Sequence, residues 1–211
     1  MDLVIYGASG LGKEVIDMVE DINAEEHLWK ILGFIDKNYR NMDKVLGYEI
    51  IGDINWILEK ETELAVIIAI ANPNIRKNIV DAIKPKKNIK FPNIVSKNSI
   101  VSKYTTIGEG CIIANGASIS TEVTLKNFVL VNTSTTIGHD CNIDDYVTIN
   151  PGSNISGNVT ISERSFIGTG SKIIEKKTIG VNTIVGAGAV VINDIPDNVT
   201  CVGVPAKIIK P

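Results

Sequence analysis

An aliphatic residue recurs at every sixth position of this chain from Val95 onward: Val95, Val101, Ile107, Ile113, Ile119, Leu125, Val131, Ile137, Ile143, Ile149, Ile155, Ile161, Ile167, Ile173, Ile179, Val185 and Val191. A period of six is too short for helical repeats, whose units run to about thirty residues or more, and belongs to parallel β-helices. Three such units close one triangular coil, so seventeen give between five and six coils. At the spacing of stacked strands the prism is roughly 25 to 30 Å tall. The residue four places after each aliphatic one is small or β-branched, with Lys177 as the misfit. There the ammonium snorkels outward or the coil bulges. Gly108, Gly138, Asn150-Pro151-Gly152 and Gly186-Ala187-Gly188 are expected to relieve the corners. The run ends at Ile195-Pro196-Asp197, and the tail after it must cover strand edges that would otherwise stay open.

The chain before Val95 has a different grammar. Leu3-Val4-Ile5-Tyr6 is a continuous apolar run that stops at Gly7-Ala8-Ser9-Gly10-Leu11-Gly12, and helical periodicity follows through Val15, Ile16 and Val19. Strand, glycine turn and helix start come in the order of a phosphate-cradling βα unit, although the spacing G-x-x-G-x-G is not that of the dinucleotide enzymes. A second strand, Ile31 to Ile35, delivers Asp36 at its carboxyl end, where a parallel sheet presents a carboxylate to a ribose or base. The competing reading is a turn aspartate opening Asp36-Lys37-Asn38. Tyr48 to Gly52 reads as a short strand followed by a helix capped by Asp53. Leu64 to Ile70 reads as a buried strand leading, through Asn72 as N-cap and Pro73, into a helix that ends at Ile83. Strands alternating with helices predict a small Rossmann-like α/β domain. The proline-broken stretch from Pro85 to Pro92 marks the boundary, giving domains 1–90 and 91–211.

A net charge of −3 argues against a nucleic-acid or anionic-membrane partner, and the longest apolar runs are too short to span a bilayer. The start of the chain lacks the basic and apolar regions of a signal peptide, so a cytoplasmic location is expected. Cys111, Cys141 and Cys201 show no metal-ligand spacing, and two of them fall on the small position of the hexad, which predicts buried packing.

The hexad array, with Ile137-Gly138-His139-Asp140-Cys141, Asn150-Pro151-Gly152, Ser156-Gly157-Asn158-Val159 and Val202-Gly203-Val204-Pro205-Ala206-Lys207, resembles the left-handed β-helix acetyltransferases. With Tyr6-Gly7-Ala8-Ser9-Gly10, Phe34-Ile35-Asp36 and Ile68-Ala69-Ile70-Ala71-Asn72 before it, the chain is similar to the bacterial branch that acetylates nucleotide-linked amino sugars, a branch labelled broadly as sialic-acid O-acetyltransferase-like. The resemblance implies left-handed coiling, a homotrimer, acetyl-CoA as co-substrate in a groove between neighbouring prisms, no metal, and a nucleotide sugar held on the N-terminal domain. By motif position, Ser9, Gly10, Leu11, Asp36, Lys37, Ala71 and Asn72 would surround the nucleotide sugar, and Thr148, Gly157, Thr169 and Ala187 would line the coenzyme groove. Several relatives carry histidine where this chain has Leu11, and some carry a second acid where it has Lys37, so the polar contacts to phosphate and base differ here.

One of only two histidines in the chain, His139, sits inside the rigid array. Acetyl transfer from a thioester to an amine needs a base that works near neutral pH, and imidazole meets that need. The resemblance makes Asp140 the acid that orients His139, and this partnership requires a corner between the two, because adjacent strand residues point to opposite faces. A backbone N–H of an adjacent coil is expected to stabilise the oxyanion. His27 reads as a surface residue. The leading expectation is an N-acetyltransferase for a UDP- or dTDP-linked 4-amino-6-deoxy sugar, serving bacterial surface glycan synthesis. The alternatives are sugar O-acetylation, a non-catalytic trimeric sugar-nucleotide scaffold, and a hexad carbonic anhydrase, which would need more histidines than His27 and His139 supply.

Overall fold

The computed structural model describes residues 1–37 and 44–210, so Asn38 of the Asp36-Lys37-Asn38 turn lies outside the described residues. The chain forms two compact units, Met1–Lys97 and Asn98–Pro211. The division falls between Lys97 and Asn98 and not at 90/91. The reason is that β6 (Ile89–Lys90) pairs with β5 (Leu64–Ile68), and the first hexad pair, Ile94–Val95, packs on helix α1 (Gly10–Glu26). The remaining elements of the first unit are β1 (Asp2–Tyr6), β2 (Lys30–Ile35), β3 (Lys44–Val45), β4 (Tyr48–Gly52), α2 (Ile54–Glu59) and α3 (Pro73–Ile83). Strand order is β3-β4-β2-β1-β5-β6, parallel apart from the β3–β4 hairpin. Two inner strands, β1 and β5, read as continuous apolar runs, as expected of parallel strands covered on both faces, and Leu3, Val4, Ile5 and all of β5 are buried. His27 ends α1 as an exposed left-handed cap.

In the array, two-residue strands recur every six residues from Ile94–Val95 to Val190–Val191, and the second residue of each is the hexad aliphatic. Strands eighteen residues apart pair in parallel, as in Ser118↔Thr136, Thr136↔Asn154 and Asn154↔Lys172, which makes a three-sided prism. From Ile113 to Val191 every hexad aliphatic is buried. The small position is largely inside as well, and six of its hydroxyls and thiols share one task. Thr105, Cys111, Thr135, Cys141, Ser153 and Ser165 each donate to the carbonyl fifteen residues ahead, at 2.9, 3.0, 3.1, 3.1, 2.9 and 2.5 Å. A buried polar atom is tolerated here because it is satisfied. At Lys177 the strand register runs on without a shift, and the side chain is half-buried, so no bulge forms.

Gly152 and Gly188 take left-handed corners as expected, and the other corners differ from expectation. Left-handed backbone falls two residues after Gly108, Gly138 and Gly186, at every sixth residue from Gly110 to Gly188, and Glu122, Phe128, Ser134, Asp140, Tyr146, Asn158, Arg164, Lys176 and Asn182 adopt it as readily as the glycines. Ladder bonds hold these corners: the N–H of Asp140 donates to the Thr121 carbonyl (3.1 Å), and that of Asn158 to the His139 carbonyl (2.8 Å). The repeat overrides the modest cost of a left-handed non-glycine residue. The tail continues one sheet as Thr200–Val202, parallel to Ile184–Val185, and folds back as Lys207–Lys210 along that strand.

Candidate active site

Each unit presents one group of candidate residues. In the first, β1, β2 and β5 end together. The Gly7 N–H donates to the Ile35 carbonyl, the Ala69 N–H to the Tyr6 carbonyl, and the Ala8 N–H to Oδ2 of Asp36 (3.1 Å). Asp36 is thereby tied to the glycine turn. Asp36 and Lys37 line a pocket of about 280 Å³ with Tyr6, Ile70, Ile75 and Ile79. The phenol of Tyr6 is pushed above its ordinary pKa by burial and then by the nearby carboxylates of Asp36 and Asp53, so it stays a neutral donor at physiological pH.

Ser9 occupies the N-cap of α1 but its side chain makes no capping bond, so the first-turn N–H groups are not taken up by it. The three glycines have separate jobs. A Cβ on Gly12 would lie 1.9 Å from the Gly7 carbonyl oxygen, whereas one on Gly10 would meet nothing within 4 Å. Gly12 is demanded by packing, and Gly10 leaves the turn open for close approach. Leu11 is half-buried beside it. Asn72 is exposed, but its Oδ1 accepts from the Ile75 N–H (3.0 Å), so that oxygen serves α3 as a cap.

One residue of this region escaped the sequence reasoning. Arg76, 2 % exposed, reaches back from α3 and donates from Nη1 to the carbonyls of Ile70 (2.7 Å) and Ala71 (3.3 Å). The signal was present: Arg76 falls on the helical stripe of Pro73, Ile79, Val80 and Ile83, all of which are buried.

In the second unit, the left-handed backbone of Asp140 (φ 59°) turns its side chain back onto its neighbour, and Oδ2 lies 2.6 Å from Nδ1 of His139. Both side chains are more than half exposed. The Cε1–Nε2 edge of the imidazole rests on Gly157 of the next coil, where an added Cβ would lie 2.7 Å from either atom. The Gly157 carbonyl accepts from Lys176, while its N–H has no acceptor among the described residues. Cys141 beside the pair is buried and bonded to the Ser156 carbonyl, and burial pushes its thiol above the usual range, which excludes it as a ready nucleophile.

The four expected coenzyme residues do not meet within one chain. Gly157 shares the corner of His139. Thr169 and Ala187 are exposed on a different corner, stacked one coil apart. Thr148 is fully buried in its strand. Among the described residues there is no group of three or more His, Cys, Asp or Glu that could hold a metal ion, and no helix is long and apolar enough to cross a membrane.

Comparison with known proteins places this geometry. The family described as the PglD N-terminal domain matches residues 2–83. GDP-perosamine N-acetyltransferase of Escherichia coli O157:H7 is 32 % identical over 129 residues, 61 % of this chain and 58 % of that protein, so the match spans little more than half the length of this curated relative. The acetyltransferase domain of PglB from Neisseria gonorrhoeae FA1090 is 33 % identical over 99 % of both chains, with a TM-score of 0.92, and has also been solved in complex with acetyl coenzyme A. PerB from Caulobacter crescentus, solved in complex with CoA and GDP-perosamine, is 29 % identical over 99 % of this chain and 97 % of its own, with a TM-score of 0.89. An α/β unit followed by a left-handed parallel β-helix is the fold shared with these structures.

Proposed function

Because the chain belongs to the nucleotide-amino-sugar N-acetyltransferase family, we propose that it transfers the acetyl group of acetyl-CoA to the amine of a nucleotide-linked 4-amino-6-deoxy sugar. The observation that carries this reading is the His139–Asp140 pair, 2.6 Å apart at an exposed corner and seated on Gly157. The neutral sugar amine attacks the thioester carbonyl carbon. A C–N bond forms, the carbonyl electron pair moves onto oxygen, and the amine proton passes to Nε2 of His139. Asp140 holds the Nδ1 proton and favours the imidazolium that results. The unengaged Gly157 N–H is the donor for the oxyanion. Collapse of the tetrahedral species breaks the C–S bond, and the CoA thiolate takes the proton back from Nε2. No covalent acetyl-enzyme is needed.

The nucleotide lies in the crevice at the ends of β1, β2 and β5, with phosphate at the start of α1 through Ser9, Gly10 and Leu11, and with Asp36, Lys37, Ala71 and Asn72 around the nucleoside. A homotrimer accounts for the scattered coenzyme residues. With Gly157 on one corner and Thr169 and Ala187 on another, a groove between neighbouring prisms brings the two corners to the same coenzyme.

Thiol release from acetyl-CoA, measured with UDP-, dTDP- and GDP-linked 4-amino-6-deoxy sugars and with free sialic acid, tests the reading. Turnover with one of the nucleotide sugars to an N-acetylated product is expected, and the preferred nucleotide decides between the UDP or dTDP expected from the sequence and the GDP named in two relatives. Turnover with free sialic acid alone overturns it.

A further inference from the structure

We infer that Arg76 is a positioning residue for the acceptor's nucleotide. It fixes the turn between β5 and α3 that walls the crevice, and it sets a permanent positive charge one hydrogen bond from the lining. The inference rests on the nucleotide reading of that crevice. Pro73, Ile79, Val80 and Ile83 form the buried stripe of α3, and an aliphatic side chain at position 76 would complete it. Burying a guanidinium there instead carries a desolvation cost that must be met by its contacts. The contacts shown are the carbonyls of Ile70 and Ala71, both in the turn that follows β5, on the side of the crevice assigned to the nucleoside. Ile70 lines the pocket, and Ile75 and Ile79 line it from the helix that carries Arg76. The guanidinium thus links the two elements of the apolar wall. It also engages both carbonyls of the turn, which holds the backbone beside the nucleoside in one shape. Lysine would keep the charge but not the planar fork, and methionine would keep neither.

The test compares the full chain with R76K and R76M, using calorimetric titration with UDP, dTDP and GDP as probes together with steady-state kinetics. R76K is expected to weaken nucleotide binding by about tenfold or more, the scale of one misplaced charge-assisted contact. R76M is expected to weaken it further. The KM for the nucleotide sugar should rise in parallel, with kcat and the KM for acetyl-CoA held within about twofold. Nucleotide affinity unchanged in R76K, or a uniform loss across kcat and both KM values, overturns the inference. So does failure of both variants to fold, because the guanidinium would then serve stability and not the ligand. A wild-type chain that binds none of the three probes overturns instead the nucleotide reading beneath it.

Discussion

Oδ2 of Asp140 approaches Nδ1 of His139 to 2.6 Å only because the aspartate backbone is left-handed, so a hydrogen-bonded pair is made from consecutive residues. His139→Ala is expected to lower kcat by about 10²-fold or more, the usual scale for loss of a general base, as read by thiol release. Asp140→Asn should cost about tenfold or more, because an amide can present its N–H₂ to Nδ1 and favour the wrong tautomer. Full turnover in His139→Ala would rule out the imidazole as the general base.

Gly157 makes a sharper test of ring placement. Its backbone is not left-handed, so alanine is free of strain there, yet the new methyl would lie 2.7 Å from Cε1 and Nε2 of His139. Gly157→Ala should therefore keep its melting temperature within about 3 °C while kcat falls about tenfold or more, since a misplacement near 1 Å is enough to forfeit that much. An unchanged kcat would show that the imidazole is not held against this glycine during turnover.

Gly12→Ala sets two effects against each other. Alanine in a helix is worth about 1 kcal/mol over glycine. The added carbon would sit 1.9 Å from the Gly7 carbonyl oxygen, a backbone atom that cannot swing away. Overpacking of this kind costs about 1–3 kcal/mol and wins where the obstacle is backbone. Urea unfolding should show a lower midpoint for Gly12→Ala, and Gly10→Ala, which meets nothing within 4 Å, should not. Equal midpoints would dismiss the close packing of helix on turn.

Cys111, Cys141 and Cys201 are fully buried, and burial pushes the thiols of Cys141 and Cys201 upward. A thiol reagent at neutral pH should label none of the three in the native protein and all of them after denaturation. Cys141→Ser should keep kcat, because a serine hydroxyl can donate to the Ser156 carbonyl as the thiol does. Rapid labelling of native Cys141 would contradict the packing.

What could be read from the sequence depended on how local its cause was. The prism was legible because burial repeats every six residues and one aliphatic column suffices to announce it, as from Ile113 to Val191. The corner was not, since ladder bonds from neighbouring coils choose the left-handed position, and Phe128 or Lys176 takes it without any compositional hint. Asp36 was legible from its place at a strand end, and its bond to the Ala8 N–H agrees with that place. Arg76 was hidden because an arginine on an apolar stripe reads as an interruption until the carbonyls it reaches are known. Gly157 was assigned to the coenzyme groove, and its packing under His139 depends on a partner eighteen residues away in sequence but adjacent in the stack.

The left-handed corner that carries Asp140 recurs, with nearly the same φ, at Glu122, Asn158 and Lys176 in successive coils. These are interchangeable sockets on one edge of a stiff mount, and none of them is needed to keep the core dry. Chemistry can be written into any of them by three choices: a histidine, an acid after it, and a glycine one coil above. A histidine and aspartate at 157 and 158, with glycine at 175, would rebuild the same local pair one storey higher. Whether such a transplanted pair works depends only on what faces it from outside.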